Sequence, residues 1–508
     1  MPEKQTASGR PDTAELTNQR AEKKKVEKQL REHQKTEGLK PASRDSLPNC
    51  KCACKTVAEE KAEREEALTE QMKIIKAHLP VLLKRLRKIQ DPRNPKKCKH
   101  KMTVILIYGI LTFVFQMSSR REANREMTRP MFMENLRLYF PELADLPHND
   151  TLMRLLSAIE VAEIEEAYIE LVRRFVRNKK FRRYLIGNCY PVAVDGTQKF
   201  VRSEIWSEEC LERKIGKSER RQYYVYVLEA CLAFHNGMTI PLMSEFLSYP
   251  EGDTDNNKQD CELKAFHRLM RRLKKKFPRL PVILLLDGLY ANGPVAELCA
   301  ENKWQFMIVL KDNCLRSVWE EFNSLRGLEK GNRANRKWGN RKQHFEWVNG
   351  LEYRYGEKYR RKIVIHVVVC EETWEKVNKN AETEIMTSRH AWISSEPLNY
   401  GNVHERCNMG ARHRWGIETG ILVEKRHGYN YEHCFSYNWS AMKGYHYLMK
   451  TGHLFTILAQ YSECLIKTVK NHGLKGFIRF IRETVSGPWP DEETVFRRLN
   501  KNFQLRLA

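Results

Sequence analysis

Two stretches decide how this chain folds: Tyr190-Pro191-Val192-Ala193-Val194-Asp195-Gly196-Thr197 and Pro281-Val282-Ile283-Leu284-Leu285-Leu286-Asp287-Gly288. Each is a short apolar run that stops at Asp-Gly, the pattern of a buried strand with a carboxylate at its end. A carboxylate there sits at the rim of a sheet, where sites tend to form. Asp-Gly is also a common turn dipeptide, so either residue taken alone could simply be part of a turn. Between the two runs, Gln222–Phe234 reads as a long strand, His235-Asn236-Gly237 as a turn and Thr239–Tyr249 as the antiparallel partner. Asp260–Phe277 reads as a basic amphipathic helix, Gly293–Asn302 as a helix, and Gln305–Leu310 as a strand ending in Lys311-Asp312. The order is β-β-β-α-β-α-β, so the predicted class is α/β with a mixed sheet.

Outward from this core the period changes. Residues 313–400 are rich in aromatic and basic residues, with strand signals at Phe345–Val348, Leu351–Tyr355 and Arg361–Cys370, and they read as a β-rich insertion. Helical signals return at Val403–Lys425 and Met442–Leu465. The predicted core is therefore 187–312 with 401–465. Residues 466–508 read as a basic helical tail and 56–186 as a helical N-terminal DNA-binding region. In the latter, Leu68, Met72, Ile75, Leu79, Leu82, Leu86 and Ile89 form a heptad stripe that suits either dimerisation or packing on the next domain. Pro80 predicts a kink or two helices, and Asp150-Thr151 a helix start. Residues 1–55 are poor in apolar residues and are predicted to be disordered.

The chain has 508 residues and a formal net charge of +25. A charge this positive suits a polyanionic partner, most often nucleic acid. The 41% hydrophobic content supports a real core. Residues 1–30 lack an apolar signal core, and the longest apolar run, Val104–Phe115, is too short to span a bilayer, so a soluble intracellular protein is expected. The 14 cysteines are scattered, mostly in apolar strings, and read as reduced. Cys50, Cys52 and Cys54, with Cys98 and His100, could supply zinc ligands, but C-x-C spacing fits poorly and free thiols in a tail are the other reading.

A third feature is Arg414-x(3)-Glu418-x(6)-Lys425. On a continuous helix Glu418 lies about 40°, and Lys425 about 20°, from Arg414, which puts all three on one face. An intrahelical ion pair of small value would also explain the spacing.

Val192–Thr197, Leu285-Leu286-Asp287-Gly288-Leu289-Tyr290 and Arg414–Lys425, taken in order, resemble the DDE transposases of bacterial insertion sequences, in the IS-four-like group. The likeness covers roughly 100–455. It implies a ribonuclease-H-like catalytic core with a β-strand insertion, in which the first and fourth strands lie side by side. It implies Asp195, Asp287 and Glu418 as catalytic and metal-binding residues, with Arg414 and Lys425 on DNA phosphates. Two Mg²⁺ ions, replaceable by Mn²⁺, would serve cleavage of element ends and joining of their 3′-OH groups to target DNA, by cut-and-paste and through a hairpin. The implied partner is double-stranded DNA, bound by a homodimer in the cytoplasm at the nucleoid, with no membrane. The signature's Tyr falls on Ala411, and His413, Trp415 and Tyr429 are out of register, so that role cannot be carried over. Glu424 is the rival to Glu418.

Arg333, Arg336, Lys337, Arg341 and Lys342 in the insertion, interleaved with Trp338, His344 and Trp347, are expected to bind DNA. Trp304, Trp319, Trp338 and Trp347 are candidates to stack a flipped base. A domesticated transposase kept as a DNA-binding protein, and a ribonuclease-H-like structure-specific nuclease, are the alternative readings.

Overall fold

The computed structural model describes residues 13–41, 47, 49, 51–143, 145–216, 220–249 and 261–508; Cys50 and Asp260 lie outside them. The chain divides into two units, Leu47–Leu286 with Arg412–Ala508, and Met1–Ser46 with Asp287–Ala411.

In the first unit, β1 (Tyr190–Arg202), β2 (Leu211–Lys214), β3 (Arg221–Ala233), β4 (Thr239–Phe246) and β5 (Val282–Leu286) form a mixed sheet. β1 pairs with β3 antiparallel, setting Asp195 opposite Glu229. It pairs with β5 in parallel, setting Ala193 opposite Leu285. The other edge of β3 carries β4 and, further along, the short β2. The four strands expected from the sequence thus stand in the order third-second-first-fourth. β1 does not stop at Asp195 as expected. It continues to Arg202 because pairing with β3 runs through Gln198 and resumes at Phe200 after a register shift at Lys199. β2 lacks an apolar alternation, which is why the sequence did not reveal it.

Helices cover this sheet. Trp439–Gln460 is buried along almost its whole length and packs on Met102–Val114 and Asn149–Ala158. Glycine makes the approach close: a Cβ on Gly109 would lie 2.7 Å from Leu448 Cδ1, and one on Gly452 would lie 2.8 Å from Phe113 Cβ. Asn149–Ala158 starts just before the expected position, with His148 as its cap accepting from the Asp150 N–H at 3.2 Å. Val57–Leu86 is one helix with Pro80 inside it. Every residue of its heptad stripe is buried, Leu68 and Met72 fully. Burial of each such side chain is worth roughly 1.5–3 kcal/mol, and here it is spent within the chain, which settles the stripe as packing surface. Ile466–Ser486 and Glu492–Leu499 pack on Val57–Leu86 and Pro130–Tyr139, so the C-terminal segment belongs to this unit.

In the second unit, β6 (Gln305–Val309), β7 (Arg333–Trp338), β8 (Arg341–Tyr355), β9 (Arg361–Val377) and β10 (Thr383–Ser394) stand in the order β6-β10-β9-β8-β7. β7 to β10 are an antiparallel meander, and β10 returns to pair antiparallel with β6. The β7–β8 turn is closed by Gly339 at φ +59, the left-handed conformation a two-residue hairpin loop needs. Gly350, at φ +78, marks a register shift in β8, where the sequence showed two strands in place of one. The segment expected to be disordered instead contains a 24-residue helix, Thr13–Thr36. It is held against β9, with Lys40 N–H donating to Gly339 O at 2.8 Å and Lys342 Nζ 3.0 Å from Glu37 Oε1. Docking to this sheet supplies the order that the composition of the segment does not.

Among the described residues no helix is long and apolar enough to cross a membrane, and every described cysteine is free.

Candidate active site

Asp195 lies within β1 of the first unit and its Oδ1 accepts from the Gly196 N–H at 3.0 Å. Burial pushes its carboxyl up to about 6; Arg414 opposes the shift, while Glu418 and Glu262 add to it. The first unit therefore brings Asp195, Arg414 and Glu418 into one electrostatic cluster. Arg414 Nη2 donates to Glu418 Oε1 at 2.8 Å, and Arg414 is only 8% exposed. Its Nε finds no hydrogen-bond partner among the described residues. Glu418, with half of its side chain exposed, faces outward.

The Arg-Glu-Lys segment is not one continuous helix. Ala411–Trp415 is a 3-10 turn and the α-helix runs over Gly416–Arg426. The change of pitch removes the single shared face. Arg414 and Glu418 still meet, but Lys425 Nζ turns to Glu432 Oε1 at 2.9 Å. Gly416 and Gly420, four apart on one helix face, let the backbone settle on the β3–β4 hairpin: a Cβ on Gly416 would lie 3.0 Å from Thr239 Oγ1, and one on Gly420 3.3 Å from Thr239 Cγ2. Thr239 Oγ1 donates to Gly416 O at 3.2 Å. This seat fixes where the helix carries Glu418 and Glu424.

Asp287 belongs to the second unit, directly after β5. Its Oδ1 accepts from the Leu289 N–H at 2.8 Å, capping a short 3-10 turn. Lys311 Nζ lies 3.8 Å from its Oδ2. It performs the turn-forming role that an Asp-Gly pair allows, whereas Asp195 sits in a ladder and does not.

The five basic residues of the insertion are engaged in their own unit. Arg333 Nε is 3.0 Å from Glu346, Arg341 Nη1 2.5 Å from Glu372 and Lys342 is on Glu37. Lys337 Nζ donates to Glu37 O, and Arg336 stacks 3.8 Å over the exposed Tyr400 ring. Trp304, Trp319 and Trp347 are buried and so do not present faces to an incoming base.

The sequence reading missed several residues near Asp195. Glu262, in the first turn of Glu262–Lys276, accepts from Tyr226 OH at 3.1 Å. A Cβ on Gly196 would come within 2.7 Å of Glu262 Oε2, so glycine is needed for this acid to lie beside Asp195. Trp415, between Arg414 and Glu418, is 58% exposed. Behind the site is a buried polar network. Lys450 Nζ lies 2.7 Å from Glu424 and 3.1 Å from Glu229. Glu424 also holds His453 Nδ1 at 2.8 Å, and Glu229 accepts from Ser244 Oγ at 2.6 Å and Tyr431 OH at 3.0 Å. Burial pushes Lys199 down to about 7, and Lys450 adds to the shift. Burial opposes the charge on Lys450, yet the two carboxylates hold it above its ordinary value. His446, Lys450 and His453 recur at helical spacing, a signal that could have been read. Glu424, the rival glutamate, is 1% exposed and committed to this network.

Among the described residues no group of three or more His, Cys, Asp or Glu side chains is already gathered to hold a metal ion. This includes Cys52, Cys54, Cys98 and His100. Cys54 instead donates to Glu63 at 3.0 Å.

Residues 83–172 match the DDE_Tnp_1-associated family model. The match points to a relation with DDE-type transposases, and it falls on the helical region that packs under the sheet, not on the carboxylates. No curated protein matches the chain.

The raised Asp195 value has a direct consequence for stability. In the unfolded chain this carboxyl titrates near 3.8, in the folded unit near 6. The folded state therefore binds the proton more tightly, and ionisation above pH 6 costs stability. Asp195→Asn is expected to melt at a higher temperature than the parent above pH 6, in chelator, with the advantage fading as pH falls from 6 towards 3.8. Thermal denaturation across pH 4–8 checks this; an advantage independent of pH would show that Asp195 is not held in a desolvated site.

Proposed function

We propose that this chain is a transposase that binds the ends of its mobile element, cuts them by metal-dependent phosphodiester hydrolysis and joins the 3′-OH ends to target DNA by cut-and-paste. The observation that carries the reading is the grouping of half-buried Asp195 with Arg414 and Glu418, in a unit whose helical region matches a transposase-associated family. The order β4-β3-β1-β5 supports a ribonuclease-H-like core of the IS-four-like kind. Asp195 and Asp287 each follow a residue of the Ala193–Leu285 pair by two positions.

Asp195, Asp287 and Glu418 would hold Mg²⁺, two ions with Mn²⁺ able to substitute. The donor set is all oxygen, which suits a hard cation, and Asp195 lies near further carboxylates that raise its proton affinity. Bound divalent ions supply charge neutralisation for in-line displacement at phosphorus. The chain's own residues do the rest. Arg414 offers a guanidinium fork of the kind suited to a phosphate. Lys425 offers a point charge on the same segment. A cleft of about 680 Å³ in the helical region, lined by Arg93, Lys97, Lys99 and Arg154, adds a basic track for the DNA backbone. The working form on DNA is a homodimer, at the nucleoid.

A strand-transfer assay with labelled end DNA, run on denaturing gels, tests the reading. Cleaved ends joined to target support it. A slow-migrating species that later resolves to linear ends marks the hairpin route despite Ala411. Binding without cleavage would indicate a domesticated DNA-binding protein, and cleavage without joining a nuclease.

Salt dependence reports on the insertion. Arg333, Arg341 and Lys342 already hold carboxylates, so exchange for phosphate releases few counterions, whereas Arg336 and Lys337 rest on Tyr400 and a carbonyl. Neutralising all five is expected to flatten the log–log salt slope by about 2, where five free cations would give about 4.5. An unchanged slope in filter-binding titrations would place the DNA path away from the insertion.

A further inference from the structure

We infer that Lys450 is a positioning residue that sets the spacing between Asp195 and Glu418, by bridging Glu229, the cross-strand neighbour of Asp195, to Glu424, on the helix that carries Glu418. This rests on the proposed reading of those two carboxylates as the metal-binding pair of the first unit.

The bridge is short and dry. Lys450 Nζ reaches Glu424 Oε2 at 2.7 Å and Glu229 Oε1 at 3.1 Å, and none of the three side chains is more than 7% exposed. Neither carboxylate has slack. Glu229 also accepts from Ser244 Oγ on β4 and Tyr431 OH, and Glu424 is also held by His453. Lys450 is itself rigidly mounted. Gly444 and Gly452 flank it on the same helix, and Cβ atoms there would lie 2.8 Å from Leu156 Cδ2 and Phe113 Cβ respectively.

The two ends of the bridge are tied to the two carboxylates by rigid geometry. Directly opposed residues of an antiparallel pair project on the same face, with Cβ atoms about 4.5–5.5 Å apart, so Asp195 shares a face with Glu229. Glu424 and Glu418 belong to one helix, Gly416–Arg426, and move together. Lengthening or loosening the bridge therefore moves Glu418 relative to Asp195. A buried ion pair gives little net stability compared with apolar side chains of the same shape, so its contribution here is geometric. Arg414 braces Glu418 from the outer side at 2.8 Å, and on the inner side the Lys450 bridge acts together with the seat of Gly416 and Gly420 on Thr239.

The test uses full-length protein carrying Lys450→Met or Glu424→Gln, with Asp195→Ala and Glu418→Ala as references. Mn²⁺ binding is read without DNA from the free-ion electron paramagnetic resonance signal. Partners that orient metal ligands typically change affinity by 10–100-fold, so both bridge variants are expected to weaken Mn²⁺ by about tenfold. They should keep their affinity for end DNA, and the metal concentration for half-maximal cleavage should rise in parallel, with activity regained at high metal. A merely structural role would reduce the fraction of folded protein while leaving the Mn²⁺ affinity and half-saturation unchanged, and that result overturns the inference. If Lys450→Met does not fold, the isosteric Glu424→Gln and Glu229→Gln carry the same measurement. If Asp195→Ala and Glu418→Ala leave Mn²⁺ binding untouched, the site reading itself is wrong and the bridge has nothing to position.

Discussion

Asp195→Ala, Asp287→Ala and Glu418→Ala are each expected to abolish strand cleavage, by 10³-fold or more, while binding of end DNA survives. Three decades in rate correspond to about 4 kcal/mol of transition-state stabilisation, a magnitude that matches the loss of a carboxylate from a metal site better than the loss of a surface contact. Removing the metal with chelator should reproduce the same phenotype in the parent protein. Glu424→Ala is the informative contrast. It would leave Lys450 and His453 facing an empty buried volume, and breaking a buried pair by removing one partner costs about 3–5 kcal/mol. Its defect should appear as a lower melting temperature and less folded protein, with the fraction that folds showing the weakened metal affinity of a broken Lys450 bridge in place of an abolished site. Cleavage retained in Glu418→Ala and lost in a fully folded Glu424→Ala would show that the roles of the two glutamates are reversed.

Gly452→Val is expected to destabilise the first unit by about 3 kcal/mol, at the upper end of what overpacking a tight core costs. The added Cβ meets Phe113 Cβ at 2.8 Å, Val114 N at 3.1 Å and Ile110 O at 3.2 Å. Two of these are backbone atoms of Met102–Val114 and cannot rotate away, so the helices must separate. Gly327→Ala, where nothing lies within 4 Å of the new Cβ, should be neutral. Denaturant titration of both variants gives the comparison. A Gly452→Val midpoint equal to that of the parent would show that the two helices do not approach as closely as described.

The parts of this architecture that were legible in the sequence are those in which local pattern and tertiary burial agree. β3, β4, β5, β6 and the Gly293–Asn302 helix are apolar runs bounded by turn residues, and they appear within a few residues of where the pattern puts them. The Leu68-to-Ile89 stripe was visible, but only packing could show that it is consumed inside the chain. Failures came where neighbours override composition. β7 and β10 are edge or polar-rich strands whose alternation is hidden by arginine, lysine and threonine. Thr13–Thr36 has few apolar residues and takes its order from the sheet it lies on. At the candidate site, the motifs pointed to Asp195 and Glu418, which the fold groups with Arg414, but the shift from 3-10 to α-helix at Gly416 was not legible, because pitch leaves no mark on spacing. Glu262 was invisible, and Lys450 was legible only as part of a His-Lys-His repeat at helical spacing, for a different reason. Their significance lies entirely in what β1 and β3 place beside them.

Trp439–Gln460 is the keel of the first unit, and it is nearly the last large piece of that unit to be synthesised. A ribosome delivers β1 to β5 and the N-terminal helices, then spends on the order of ten seconds making Asp287–Ala411 at ordinary elongation rates. Throughout that interval the surfaces of Ile110, Phe113 and Leu156 that meet Gly444 and Gly452 lack that partner. Assembly of this unit therefore waits for the segment after Ala411 even though most of its residues are made early. Its contacts join segments hundreds of positions apart, which places it among slowly folding topologies. The C-terminal stretch after Ala411 thus acts as the closing piece of a fold begun some three hundred residues earlier.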